Sequence, residues 1–524
     1  MLFNSFQFIF VFLPITLIIF FALGSRNKHR PAMAWLALCS FFFYGWWNPA
    51  YLSLILFSIL FNYGLGTILS NGQSAFKRQY ALWLGIFINL SLLGYFKYAN
   101  FFIAQLQHVT ALSFNIEYII LPLAISFFTF QQIAFLVDSY RHETKEYDFL
   151  QYCLFVTFFP QLIAGPIVHH KQMLPQFMQD DRFKVNIKNI AIGLSIFSIG
   201  LFKKTVIADG IAPYSNIVFD SATTAQPISF FIAWGGALAY TFQLYFDFSG
   251  YSDMAIGLAR LFGIVLPLNF YSPYKSLNIS EFWRRWHITL STFLRDYVYI
   301  ALGGNKNGVI SRYKNLFLTM FVGGIWHGAG WNFILWGALQ GFYLMSNLAW
   351  KELTANWSLP FPTTIKKFTA WSLTFVAVVI GWVFFRATSF DAAIAILEGM
   401  SGANGISIPN AIMARLGDFQ STLTGLGVDS HLGGGSDFVF TWLWIIALLP
   451  LVICFPNTQD LFSKHNGSLS SKSFESQNTF WPYFKLAQHI QWQTNKIWAV
   501  IISLALVAGV MTLSQVSEFL YFQF

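Results

Sequence analysis

The chain has 524 residues, 56% of them hydrophobic, 19% aromatic and only 10% charged, with 61 Phe and a formal net charge of +9. Soluble domains carry about a quarter charged residues, and the apolar residues here recur in runs long enough to cross a hydrocarbon layer about 30 Å thick. The composition therefore argues against a soluble enzyme, a disordered chain and a disulfide scaffold, and the absence of a basic tail argues against a nucleic-acid binder. In chain order, the first apolar run, 6–23, has no basic residue before it and no small-residue cleavage site, while Arg26, Lys28 and Arg30 follow it directly. It reads as an uncleaved first span with its N-terminus outside. Lys/Arg-rich loops belong in the cytoplasm, which puts 25–30, 77–78, 141–145 and 171–188 inside and turns the runs 6–23, 31–48, 50–70, 79–96 and 118–137 into five crossings. The loops left outside, 48–50 and 97–117, contain one basic residue, Lys97. Run 151–168 holds Pro160, Gly165 and Pro166 between two basic loops. It is expected to enter and return on the same face, because broken backbone survives in a membrane only under a cover of protein or water.

Spans 189–207 and 228–246 flank an outer loop, 209–227, that has no Lys or Arg. Lys203 and Lys204 lie near its predicted edge and must snorkel or line the interior. The chain is inside again for 267–315, where Lys275, Arg284, Arg285, Arg295, Lys306, Arg312 and Lys314 face only Glu281 and Asp296. As a single helix, residues 315–350 would run to about 54 Å, too long for one ordinary crossing. Gly323, Gly324, Gly328, Ala329 and Gly330 offer a break, and the basic ends predict a hairpin of two apolar arms with both ends cytoplasmic. Spans 368–385, 438–455 and 497–515 follow, separated by a Gly-rich outer loop, 387–437, and a Lys-containing inner loop, 457–496. The expected fold is an all-α polytopic membrane protein, one domain over 1–524, with about ten crossings, two folded-back segments and both termini extracytoplasmic. Cys39, Cys153 and Cys454 all lie in apolar runs without a CxxC, and read as packing residues.

Of the ten histidines, His327 alone lies deep within an apolar segment, at the predicted break. An intramembrane ionisable residue is a functional candidate by default, and the glycines around it let a substrate or a second backbone approach the ring. The plainer reading is a buried His that ties two helix ends together. His287 is the second candidate. Asn278 followed by Glu281 resembles a capping box at a helix start, and on the helix that follows Trp283, His287 and Ser291 would share one face, with Arg284 one turn from His287. An amphipathic interface helix would look much the same. Asp247, Ser249 and Asp253 form a third cluster near the expected inner end of span 228–246, with a structural or supporting role. No metal site is expected: no His/Cys/Asp/Glu set has catalytic-zinc spacing and HExxH is absent, as are GxSxG and the P-loop.

Several long motifs in order carry a resemblance: 243–257 (QLYFDFSGYSDMAIG), 282–291 (FWRRWHITLS), 294–300 (LRDYVYI) with Gly303 and Gly304, 326–329 (WHGA) and 331–337 (WNFILWG). Stretches 1–14, 41–48 (FFFYGWWN), 159–166 (FPQLIAGP) and 200–208 (GLFKKTVIA) fit as well. The chain resembles the membrane-bound O-acyltransferase family, within it the bacterial alginate O-acetylation membrane proteins and their relatives in exopolysaccharide and peptidoglycan acetylation. The resemblance implies helices around a central funnel open to the cytoplasm. It further implies transfer of an acyl group from a cytoplasmic thioester to a hydroxyl reached from the other side. His327 matches the family's invariant histidine by its WHG setting, and His287 the second histidine, in RWHITLS. The residues allow that chemistry, since neutral imidazole near pH 7 is suited to removing a hydroxyl proton. His327 is then the general base, and His287 positions the thioester or acceptor, or hydrogen-bonds the oxyanion. Arg284, Arg285, Arg295, Lys306, Arg312 and Lys314 would attract the phosphates of coenzyme A or an acylated carrier protein, or simply anchor the inner face. Trp283, Ser291 and Trp326 are further candidates for the substrate path.

The leading expectation is an O-acetyltransferase of the bacterial inner membrane, with no permanently bound cofactor. Acetyl-CoA or an acylated carrier is the expected donor, lipid the surroundings, polysaccharide the final acceptor and a secreted, esterase-like protein the partner; nucleic acid is not expected. Competing readings are a transporter with intramembrane His and Asp, a scaffold that only holds an acetylation complex together, and a D-alanyl-type transfer to a cell-wall polymer.

Overall fold

The computed structural model describes all residues except 72–73, 111–116, 145–146, 164, 225–226, 358–360, 466, 470–489, 514–519 and 521–524. The expectations for 97–117, 141–145, 151–168, 209–227, 457–496 and 497–515 thus fall partly outside the described residues, that for 457–496 over most of its length.

The described chain is mostly helical, and each of the ten apolar runs is helical over most of its length: Phe8–Gly24, His29–Gly45, Tyr51–Asn71, Ala75–Thr110, Ile125–Tyr140, Ile187–Thr224, Phe230–Leu261, Thr363–Arg386, Gly435–Cys454 and Lys496–Met511. Five of these are long and apolar enough to cross a membrane: Tyr51–Asn71, Ala75–Thr110, Ile187–Thr224, Thr363–Arg386 and Gly435–Cys454.

Several boundaries differ from the sequence reading. The Ala75–Thr110 helix has 36 residues and takes in Lys97, expected in a loop. Its residues up to 110 hold no Gly after Gly94 and no Pro, so nothing in the backbone stops the helix where the hydrophobicity falls. The expected outer loop after 209 continues as helix Asp209–Ser221, joined to Ile187–Phe202 by a π-helical turn at Lys203–Ala208. Span 118–137 begins as a helix only at Ile125, after Ala124 in a left-handed conformation. The outer loop 387–437 is not all loop. It contains helix Phe390–Ser401 and two short parallel strands, Ile406–Pro409 and Val428–His431, paired from Ile406 with Val428 to Pro409 with His431. These strands are a small departure from an all-α fold.

The break expected in 151–168 and the hairpin expected after 315 are both present. Segment 151–168 breaks at Phe158 between helices Phe149–Thr157 and Phe159–Leu162, with every residue from Tyr152 to Ile163 buried. The long apolar stretch after Asn315 forms a hairpin of helices Val309–His327 and Trp331–Leu353. Its arms touch backbone to backbone, since a Cβ on Gly324 would lie 2.5 Å from Phe333 O and 2.6 Å from Gly337 Cα.

The 32-residue helix Phe230–Leu261 runs through the centre and is buried along nearly its whole length. Small residues let Ile187–Phe202 lie directly on it: a Cβ on Gly257 would come within 2.6 Å of Gly193 O. The Asp247–Asp253 stretch is therefore inside a central helix rather than at the end of a span. Lys203 and Lys204 point inward, as one of the two alternatives required. Lys204 Nζ lies 2.7 Å from Asp209 Oδ1 and 2.6 Å from Asp247 Oδ1, and Lys203 Nζ lies 2.7 Å from Asp253 Oδ2. Charges at this depth are tolerable only when paired.

Candidate active site

The break after His327 sets the first half of the site. Gly328 and Gly330 are extended, so the Val309–His327 helix stops with its imidazole at the tip. A helix end leaves its last carbonyls without intrahelical partners, and here another helix supplies them. Lys97 Nζ donates to the carbonyls of Trp326 and His327, the second at 3.1 Å, and Tyr98 Oη donates to Ile325 O at 2.7 Å. The His327 ring, 5% exposed with the rest of its residue, packs among Trp326, Trp336 and Phe385 at centroid distances of 4.9, 5.0 and 5.3 Å.

The second half overturns a local expectation. Residues 278–291 are not one helix. Ile279–Arg285 ends at an extended Trp286, and His287 stands at φ +43° as the residue before a second short helix, Ile288–Phe293. Trp283, His287 and Ser291 do not share a helix face. The expected cap at the start is half present: Asn278 Oδ1 accepts from Glu281 N–H, while Glu281 accepts from Leu277 N–H, one residue before the capping position, and pairs with Arg285. His287 is swung by its kink into the interior, where it is fully buried, 4.8 Å from the Phe248 ring and 6.3 Å from that of Trp326. Trp326 thus lies against both imidazoles.

His287 is held through Asn269. Its Nδ1 lies 3.0 Å from Asn269 Oδ1, and Thr289 Oγ1 lies 3.1 Å from the same oxygen. Thr289 Oγ1 already receives the Ile167 N–H at 3.0 Å, so its own proton turns to Asn269 Oδ1, while Asn269 Nδ2 donates to Ser252 Oγ. Turning the amide over would set an N–H against an oxygen already receiving one and strand the Thr289 proton. Because an amide oxygen only accepts, His287 carries its proton on Nδ1 and presents Nε2 as an acceptor.

A cavity of about 610 Å³ adjoins the segment that carries His287, with Ile288 in its wall and neither histidine among its lining residues. Four sequence candidates line it, Trp283, Arg284, Ser291 and Arg295, together with Arg312, Tyr299 and an apolar wall that includes Ile288, Leu316 and Met320. Trp283 connects it to the centre: its indole packs on Trp336, which touches His327, and its Nε1 donates to Gln340 Oε1. Arg295 and Tyr299 come from a π-helical turn, Leu294–Tyr299, an irregularity often found at functional sites. Hydrogen bonds that it donates to the Asp296 carboxylate hold the Arg295 guanidinium above its ordinary pKa. Arg312 pairs with Glu352.

Other candidates are placed elsewhere. Arg285 is 1% exposed and occupied by Glu281 and the Tyr271 carbonyl, so it braces the Ile279–Arg285 helix instead of facing the cavity. Asp247 and Asp253 are engaged with Lys204 and Lys203, not with either histidine, and Ser249 lies buried between them in sequence on the same helix. Lys306 and Lys314 do not line the cavity.

One cluster escaped the sequence reading altogether. Asp138, His169 and His170 bring one ligand atom each within 4.8 Å of the others, a spacing that can hold a metal ion. The nitrogens describe a hydrogen-bonded knot instead. Tyr297 Oη donates to Asp138 Oδ2 at 2.9 Å, and His169 Nε2 lies 3.0 Å from that hydroxyl and 2.5 Å from the carboxylate. His169 Nδ1 accepts the Lys171 N–H, which puts the ring proton on Nε2, the nitrogen a metal would need. Lys97, Asn269, Thr289, Trp336 and Phe385 were missed as well. Only Lys97 left a trace in the sequence, as the one basic residue in the outer loops 48–50 and 97–117.

A family model for the membrane-bound O-acyltransferase family matches residues 75–390. That range contains both histidines, the central helix and the hairpin. Over 436 residues, 78% of this chain and 81% of the relative, the sequence is 48% identical to a peptidoglycan O-acetyltransferase of Helicobacter pylori. It is 42% identical over 409 residues, 76% of this chain and 75% of the relative, to a probable alginate O-acetylase, AlgI, of Pseudomonas aeruginosa. A teichoic acid D-alanyltransferase of Bacillus subtilis is 29% identical over 288 residues, 51% of this chain and 69% of the relative.

Proposed function

This chain belongs to the membrane-bound O-acyltransferase family and is a multi-pass membrane acyltransferase, and on that premise we propose that it carries an acetyl group from a cytoplasmic thioester to an extracytoplasmic hydroxyl. The observation that carries the proposal is the meeting of His327 and His287 on Trp326, next to a cavity lined by Arg284, Arg295 and Arg312. Guanidinium groups suit the phosphates of coenzyme A or of a carrier protein's phosphopantetheine arm, and the apolar wall behind them suits the arm itself. The basic stretch 267–315 supports a cytoplasmic mouth.

In the reaction, the acceptor oxygen bonds to the thioester carbonyl carbon as His327 takes the hydroxyl proton. The C–S bond then breaks, and the thiol leaves with that proton from the imidazole. A positioned base of this kind is worth about 10²–10⁴ in rate. The first acceptor is a hydroxyl of an extracytoplasmic, esterase-like partner that passes the acetyl group to cell-envelope polysaccharide. The protein sits in the cytoplasmic (inner) membrane with both termini outside.

The test is thioester cleavage by the purified protein. With acetyl-CoA or an acetylated carrier as donor, His327→Ala should lower cleavage by about 10²–10⁴ while the protein melts at the wild-type temperature; undiminished cleavage would overturn the proposal. The D-alanyltransferase likeness favours one alternative, transfer of an aminoacyl group. Faster cleavage of a D-alanyl carrier than of an acetyl carrier would establish it in place of acetyl transfer.

A further inference from the structure

Lys97 is out of place by every sequence rule. It is the one basic residue in the two outer loops expected between the first five crossings, and it lies 22 residues into an apolar helix where a cation is costly. The structure gives it a place: it meets the open end of the helix that carries His327. Its Nζ donates to Trp326 O and His327 O, its neighbour Tyr98 donates to Ile325 O, and Nζ stands 5.6 Å from the Trp326 ring centroid. Three successive carbonyls that the Gly328 break would leave bare are thus satisfied from the Ala75–Thr110 helix. A cation belongs at this position, because the helix dipole is negative at its C-terminus. Farther along, the same helix also grips the returning arm: Gln105 Oε1 accepts from Trp331 Nε1 at 3.2 Å, and Phe101 packs on the Trp331 ring. Both sides of the break are fastened to one helix, three to eight residues apart.

We propose that Lys97, with Tyr98, is a positioning residue that caps the broken helix and so fixes the depth and direction of the His327 imidazole. The inference rests on His327 being the base. Lys97 touches no reacting atom; it acts through the backbone of Trp326 and His327. An imidazole on an uncapped helix end would wander, and misplacement by about 1 Å costs on the order of 10²-fold in rate.

The experiment is steady-state thioester cleavage in detergent or nanodiscs, with a melting curve for each variant. Lys97→Met removes the donors and keeps the stem; kcat should fall about 10–100-fold with the donor KM within about twofold. Lys97→Arg, which retains a cationic donor, should stay within about fivefold of wild type, and Tyr98→Phe should lose about threefold, one hydrogen bond's share. Wild-type kcat in Lys97→Met, a loss that appears only in KM, or an Arg variant as impaired as Met would each overturn the inference. Should Lys97→Met fail to fold, a Lys97→Arg that folds but falls as far as His327→Ala would do the same. If His327→Ala itself cleaves the donor normally, it is the functional proposal that falls, independently of these variants.

Discussion

The hold of Asn269 on His287 is open to a direct test, because leucine and aspartate at this position separate shape from hydrogen bonding. Asn269 is fully buried, as is His287, and Asn269 Oδ1 receives both the His287 Nδ1–H and the Thr289 hydroxyl. Asn269→Leu keeps the volume and strands two buried donors, at a cost of about 1–3 kcal/mol each. The imidazole escapes its share by moving the proton to Nε2 or by rotating, and in either case Nε2 stops being the acceptor it is now. At 1.4 kcal/mol per tenfold, one stranded donor expressed in the reaction is a loss of about 5- to 150-fold in kcat. Asn269→Asp keeps an acceptor in the same place, gives up the 3.3 Å bond to Ser252 and adds a buried carboxylate that the His287 Nδ1–H can pair with, so it should remain at least several-fold more active than the leucine variant. Donor-saturated thioester cleavage, normalised to folded protein by a melting curve, reads both numbers. Leucine within threefold of wild type, or aspartate no better than leucine, would refute the tautomer argument. The same tautomer bears on the role of His287: a neutral ring with Nε2 as acceptor takes a hydrogen bond from a substrate O–H or N–H and does not donate one to an oxyanion.

Two further substitutions test the cavity and the hairpin. Among the described residues Arg295 pairs with Asp296 and Arg312 with Glu352, while no carboxylate pairs with Arg284; Arg284→Gln should therefore raise the KM for an anionic donor about 5–10-fold with kcat unchanged, and the difference should shrink at high salt because exposed charges are screened. Gly324→Ala forces a Cβ to within 2.5 Å of a backbone oxygen on the returning arm, whereas the same change at Gly323 meets only the end of the Leu294 side chain at 3.2 Å. Overpacking of this kind costs about 1–3 kcal/mol, so the first should lower the melting temperature and kcat together and the second should leave both near wild type; equal effects would show that the arms do not need the close approach.

What was legible in the sequence follows the physics that sequence encodes locally. Apolar runs announce helices because lipid or core must cover them, and all ten runs are helical over most of their length. The glycines after His327 announced a break because nothing else in that stretch interrupts the hydrophobicity. Loop charge carries much less. It placed Lys97 in a loop and Lys203 and Lys204 at an edge, yet all three point into protein and are matched by carbonyls or carboxylates supplied by helices distant in sequence. Residue spacing failed at His287 for a related reason: a helical pattern over 278–291 is also satisfied by two short helices, and only the packed interior selects the kink that turns His287 toward Trp326. Asn269 and Thr289 were invisible because neither is unusual for its segment.

The two histidines are fixed by opposite means, and this bears on their division of labour. His327 ends a helix, and its backbone there is held from another helix, because Lys97 donates to the carbonyls of Trp326 and His327. His287 owes its position to one of its own ring nitrogens, which Asn269 occupies. A base must pick up a proton from the acceptor and hand it to the leaving thiol, at two different places. The residue held by its backbone is the better fitted to both steps, and the residue held by its ring is the better fitted to keeping one substrate atom still between them.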